Sequence, residues 1–93
     1  AIARDGDRSN AERARLAKAL STKAAQPRYE AFLDRAPEFI ASQAPQRTGD
    51  ELRMALDAYE EAQGIAGAAR RLSLDAGATV FELAGVVARL ARM

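Results

Sequence analysis

From Leu52 to Leu90 the larger apolar and alanine residues recur at steps of three and four, interrupted only at Leu72-Ser73-Leu74-Asp75. Such spacing places side chains on one face of a helix. It predicts two helices, about 49–72 and 76–91, joined by a short break. The inner face of the first comprises Leu52, Ala55, Leu56, Tyr59, Ala62, Ala66, Ala69 and Leu72, while Asp50, Glu51, Asp57, Glu60 and Glu61 fall mostly off it. Thr48 followed by Glu51 has the form of a capping box, in which each side chain satisfies an orphan backbone amide. Arg70 and Arg71 occupy the last turn, where positive charge offsets the exposed carbonyl dipoles. Asp75 is placed to cap the second helix, with Gly77 in its first turn and Val80, Leu83, Ala84, Val87 and Leu90 on its inner face. Phe81 lies off that stripe.

The same reading extends upstream. Residues 1–8 are a lead-in or linker, with Gly6 between two aspartates, and 9–93 form one helical domain. Ser9 and Glu12 make a second capping-box pair. They start a helix over 10–24 whose apolar side is Ala14, Leu16, Ala17, Leu20 and Ala24. Pro27 suits a first helical turn, where its missing N–H is not needed. From there Tyr29, Phe32, Leu33, Ala36, Phe39 and Ile40 keep helical spacing to about residue 44. This is the bulkiest stripe, and it is expected at the centre of the core. Pro37 lies inside it, so the helix is expected to be kinked there, or split into two. The fold class is therefore all-α, a small bundle of four to five helices.

Alanine makes up 23 of the 45 apolar residues in this 93-residue chain. Alanine favours helix but buries little area, and a small domain is already marginal in core size. Either the helices approach closely, or a neighbouring polypeptide completes an apolar face. The net charge of +1 gives no strong general attraction to nucleic acid or anionic lipid. Charge is locally uneven, with residues 1–25 basic and 48–72 acidic. Cysteine is absent, so there is no disulfide or thiolate site. No apolar run approaches the roughly eighteen residues that span a bilayer. No signal peptide is evident, and the chain begins at Ala1 rather than methionine, as a piece of a longer polypeptide would. A cytoplasmic origin is expected.

Without histidine or cysteine, His-based triads, thiol nucleophiles and the common zinc sites are excluded. No GxxxxGK[ST] loop is present. Gly64 and Gly67 form a GxxG. KH domains use that motif to clamp a nucleic-acid backbone, but beside a sheet, so close helix packing is the expectation. Asp57, Glu60 and Glu61 read as a solvated face rather than metal ligands, and Ser73 has no base to activate it. No catalytic residue, cofactor, metal or small-molecule ligand is expected. The alternatives are a generic helical protein-interaction module and a helix-turn-helix DNA-binding domain, the latter with its turn at Leu72 to Asp75. Its second helix, however, would offer Thr79, Val80, Phe81 and Glu82 to the bases, with no arginine before Arg89.

The order of the motifs adds a resemblance. Leu20-Ser21, Arg28-Tyr29-Glu30, Phe32-Leu33-Asp34 and Phe39-Ile40-Ala41 follow one another as in the C-terminal region of δ′ subunits of the bacterial DNA polymerase III clamp loader, alphaproteobacterial form. Downstream, Ala55-Leu56-Asp57-Ala58-Tyr59-Glu60 and Leu72-Ser73-Leu74-Asp75 stand where that family has an acidic helix and an LNLD break. The resemblance covers about residues 13–91. Tyr29 stands in place of a usual phenylalanine, and the turn after Asp75 is less basic than in the family. The resemblance implies a helical collar domain that holds clamp-loader subunits together during sliding-clamp loading. Its partners would be other clamp-loader subunits, with no direct nucleic acid and no membrane. The family's nucleotide-binding fold and zinc motifs would lie N-terminal to this stretch. Tyr59, Phe81 and Val86 are then expected as exposed or half-buried interface anchors, with Arg70 and Arg71 at the rim.

Overall fold

A computed structural model describes residues 10–91. Four α-helices follow in order: α1 (Ala11–Leu20), α2 (Gln26–Gln43), α3 (Gly49–Leu72) and α4 (Ala76–Ala91). Short 3-10 turns, Lys23–Ala25 and Ala44–Gln46, follow α1 and α2, and no strand occurs among the described residues. The protein is a small all-α bundle, and its thinnest dimension of 16 Å corresponds to two layers of helices.

The centre of the bundle is α4, not α2. It packs against α1, α2 and α3. Thr79, Val80, Leu83, Ala84, Val86, Val87, Ala88 and Leu90 are all buried. A helix apolar on nearly every side belongs inside. From α2, Tyr29, Leu33, Ala36 and Ile40 reach the core, while Phe32 and Phe39 are half-buried at its margin. Asp75 caps α4 as its position demands: the Ala78 amide donates to Asp75 Oδ2 at 2.8 Å.

Helix α1 is shorter than the spacing suggests. The Ser21 amide and Oγ both donate to the Lys18 carbonyl, at 3.4 and 2.9 Å, and close the helix there. A serine side chain that competes for the backbone in this way favours helix ends. Ala17 and Leu20 are buried, Leu16 is half-buried, and Ala14 and Ala24 are exposed. Ser9 lies outside the described residues. Asn10 takes the N-cap place with φ 61° and makes no side-chain cap bond. Its Oδ1 instead accepts from Arg13 Nη1 at 2.9 Å.

Helix α2 runs unbroken through Pro37, which is buried. It is not split, and its apolar phase continues from Leu33 through Ala36 to Ile40.

Helix α3 begins and ends where the sequence places it, but it is rotated. Its buried residues are Ala55, Ala58, Ala62, Ala66 and Ala69, spaced by three and four and all alanine. Leu56 and Leu72 are exposed, and Leu72 shows 65% of its surface. The physical reason is distance. A face of methyl groups lets the helix backbone lie closer to its neighbours than a leucine face would. The Thr48–Glu51 capping box is not made, since Thr48 forms no side-chain cap bond. Gly49 follows it with φ 60°, a left-handed conformation that breaks the backbone geometry a capping box requires. Among the described residues, the GxxG mediates no close helix packing. No side chain of a described residue and no backbone outside its own helical turns lies within 4 Å of where a Gly64 Cβ would stand, and a Gly67 Cβ would meet Arg71 of the same helix.

Helix α3 ends on Ser73, whose φ of 50° is left-handed. The Leu74 amide reaches back to the Ala69 carbonyl at 3.3 Å, closing the helix as a glycine-type C-cap does. An L-residue in this conformation costs about 1 kcal/mol or more. Ser73→Gly is therefore expected to raise stability by about 0.5–1 kcal/mol, after the greater freedom of glycine in the unfolded chain is subtracted. Thermal unfolding should shift upward by about 2–6 °C. No shift, or a downward one, would show that the serine side chain compensates for its backbone.

Candidate functional site

The side chains of α2 are sorted by charge around its axis. Glu30, Asp34 and Glu38 lie on the flank toward α3, and Arg28 and Arg35 on the flank toward α1. Opposite the carboxylates, α3 lines the seam with the small residues Ala66, Gly67 and Ala69 and with the longer Tyr59, Gln63 and Arg70. The alanines are buried in the seam, but Gly67 has no side chain to cover its outer edge, and a groove stays open there.

The groove consists of two depressions on either side of an ion pair between Arg70 and Asp34. One, of about 360 Å³, lies among Gln26, Tyr29, Glu30, Ser73 and Leu74. The other, of about 380 Å³, lies among Pro37, Glu38, Tyr59, Gln63 and Gly67. Leu33 and Arg70 line both. Tyr59 is half-buried, and its hydroxyl accepts a hydrogen bond from Gln63 Nε2 at 2.6 Å. Two of the expected interface residues, Tyr59 and Arg70, thus share one groove. Both partners of the Arg70–Asp34 pair are about half exposed or more, so it orients side chains more than it stabilises the fold.

The other expected interface residues lie elsewhere. Arg71 is exposed on α3; it does not line the groove, but its guanidinium lies near Gly67, which does. Val86 is 2% exposed and belongs to the core. It cannot anchor a partner, because α4 is enclosed by three helices rather than one. Phe81 is half-buried beneath an arginine of its own domain. The Arg13 guanidinium lies 3.9 Å above the ring centroid. Its Nε and Nη2 donate to the Phe81 carbonyl at 3.0 and 2.8 Å. This joins α1 to α4 across 68 positions of sequence. Gly85 makes room for it, since a Cβ there would stand 2.5 Å from Arg13 Nη2.

Alanine at position 85 gains about 1 kcal/mol of helix propensity over glycine. It displaces the guanidinium, however, and charge-assisted hydrogen bonds are worth about 1.5–3 kcal/mol. Gly85→Ala should therefore destabilise the wild-type chain by about 1 kcal/mol, yet stabilise an Arg13→Ala chain by about 1 kcal/mol. Urea unfolding of the four members of this cycle measures both values. The same sign in both backgrounds would mean that the arginine does not depend on the glycine.

Among the described residues, four large apolar side chains are exposed: Met54, Leu56, Leu72 and Leu74. Leu56 and Leu72 fit an inner face by spacing alone, and only a count of the alanine repeat through Ala55, Ala58, Ala62, Ala66 and Ala69 separates them from it. The groove and these residues offer apolar area, carboxylates and one paired guanidinium, which suits non-covalent contact with another polypeptide. Among the described residues, no helix is long and apolar enough to cross a membrane. No family model, no curated protein and no solved structure matches the chain.

Proposed function

We propose that this chain is the C-terminal collar domain of a bacterial clamp-loader δ′ subunit. In that role it holds clamp-loader subunits together in the cytoplasm while a sliding clamp is loaded for DNA replication. The observation that carries this reading is the order of motifs from Leu20-Ser21 to Leu72-Ser73-Leu74-Asp75. The fold supports it. The first motif ends α1, the next three fall within α2, and the last forms the break between α3 and α4. A collar domain works by shape, and the resources here are of that kind: a groove beside Tyr59 and Arg70, and exposed Leu56, Leu72 and Leu74. A stable contact buries about 800 Å² on each partner, and these residues are where a neighbouring subunit would find its apolar part.

The helix-turn-helix alternative loses support from the burial of α4. Thr79 and Val80 are buried, and Phe81 is covered by Arg13. A recognition helix must show its side chains to the bases. Should the collar reading fail, a helical protein-interaction module of another kind is what remains.

Affinity purification of the tagged full-length parent from the source organism tests the proposal. The other clamp-loader subunits should be recovered in near-equal amounts. A reproducible set of partners that excludes them would overturn it.

A further inference from the structure

We propose that Arg28, Phe32 and Arg35 on α2 of one molecule receive Asp50, Met54 and Asp57 on α3 of a second copy of this chain. The two sets are complementary in both charge and spacing. On α2, the arginines and the phenylalanine stand at i, i+4 and i+7, on one face. They border a depression of about 450 Å³ with Leu20, Pro27 and Ala31, and no carboxylate lines it. Both arginines are exposed, and neither forms an ion pair among the described residues.

Asp50, Met54 and Asp57 repeat the same i, i+4, i+7 pattern with the opposite charge. Both aspartates are exposed and without an ion pair among the described residues. Met54 shows half of its surface. Glu51 and Glu60 add to this acidic half of α3, and Arg53 is the one cation beside it. Seven residues of helix span about 10 Å on either side. Two guanidiniums can therefore meet two carboxylates while the methionine enters the depression beside Phe32, a contact thioethers favour with aromatic rings. The two patches lie on different helices, so the contact joins unlike surfaces of identical chains. The inference rests on this match of register and stands apart from the collar reading.

Sedimentation velocity over a concentration series is the test. At roughly 20 mM salt the chain should associate, and association should weaken about tenfold or more at roughly 500 mM, as screening requires for exposed charges. The double variants Arg28→Glu/Arg35→Glu and Asp50→Arg/Asp57→Arg should each be monomeric, and their mixture should associate again. Circular dichroism checks that each folds. If a reversal does not fold, the neutral pair Arg28→Gln/Arg35→Gln takes its place and should lose most of the association. A wild-type chain that stays monomeric at low salt overturns the proposal, as does association unmoved by either reversal or a mixture of folded variants that fails to assemble. A monomeric chain that instead binds poly-glutamate through Arg28 and Arg35 assigns that face to a different, acidic protein and equally overturns the second-copy reading.

Discussion

Leu83→Ala should lower the free energy of unfolding by about 3 kcal/mol. Leu83 is fully buried near the middle of α4, the helix that the other three surround. Removing most of its side chain forfeits the transfer energy and leaves a cavity that three packed neighbours cannot all collapse into. A domain of this size is stable by roughly 5–14 kcal/mol, so the variant loses a large part of the total. Leu72→Ala provides the contrast. Leu72 also fits a helical apolar spacing, yet it is 65% exposed, and its removal should change stability by less than about 0.5 kcal/mol. Urea unfolding of both variants, with unchanged slope against denaturant, gives the comparison. Equal losses would mean that the rotation found for α3 is wrong and that its leucines face inward.

These two leucines show where the sequence is legible and where it is not. Helix α4 could be read almost whole: its spacing from Val80 to Leu90 and its cap at Asp75 are local features, and local chemistry decides them. The limits of α3 could be read for the same reason. Its rotation could not, because periodicity weights a leucine above an alanine, whereas packing selects the face that lets two backbones approach. Five alanines prevailed over Leu56 and Leu72 because α3 lies close against α2 and α4. Val86 is misread by spacing for a related reason. It sits at the edge of one stripe, but α4 has neighbours on three sides, and an edge residue there is interior. The bond of Arg13 to the Phe81 carbonyl, and the glycine that admits it, join residues 68 positions apart, beyond the reach of any local pattern. Of the candidate site, the charge sorting of α2 is written in its helical spacing. The groove beside it is not, since it forms only where α2 and α3, distant in sequence, come together with Gly67 at the outer edge of their seam. Capping was legible only in part. Asp75 caps α4, but Thr48 does not cap α3, because Gly49 after it adopts a left-handed backbone.

Ala62→Leu should destabilise the chain by about 2–3 kcal/mol, through overpacking rather than through a cavity. Ala62 is fully buried, midway along the alanine face, with Ala58 and Ala66 one turn away on either side. Leucine is nearly the equal of alanine in helix propensity, so the helix itself is not weakened. The added carbons must find space where the methyl face has drawn the backbones together. Helix α3 can then only move outward, and it would take Ala58 and Ala66 out of contact with it. The loss should appear as a lower urea midpoint. If the neighbours adjust unevenly, it should appear also as a shallower transition, as packing loses its uniqueness. Glu60→Leu places the same side chain on the exposed side of α3 and should alter stability by less than about 0.5 kcal/mol. A tolerated leucine at 62 would mean that α3 stands far enough from its neighbours to accept it. The groove beside Tyr59 and Arg70 would then be a consequence of loose helix spacing, and the small residues of α3 would no longer explain it.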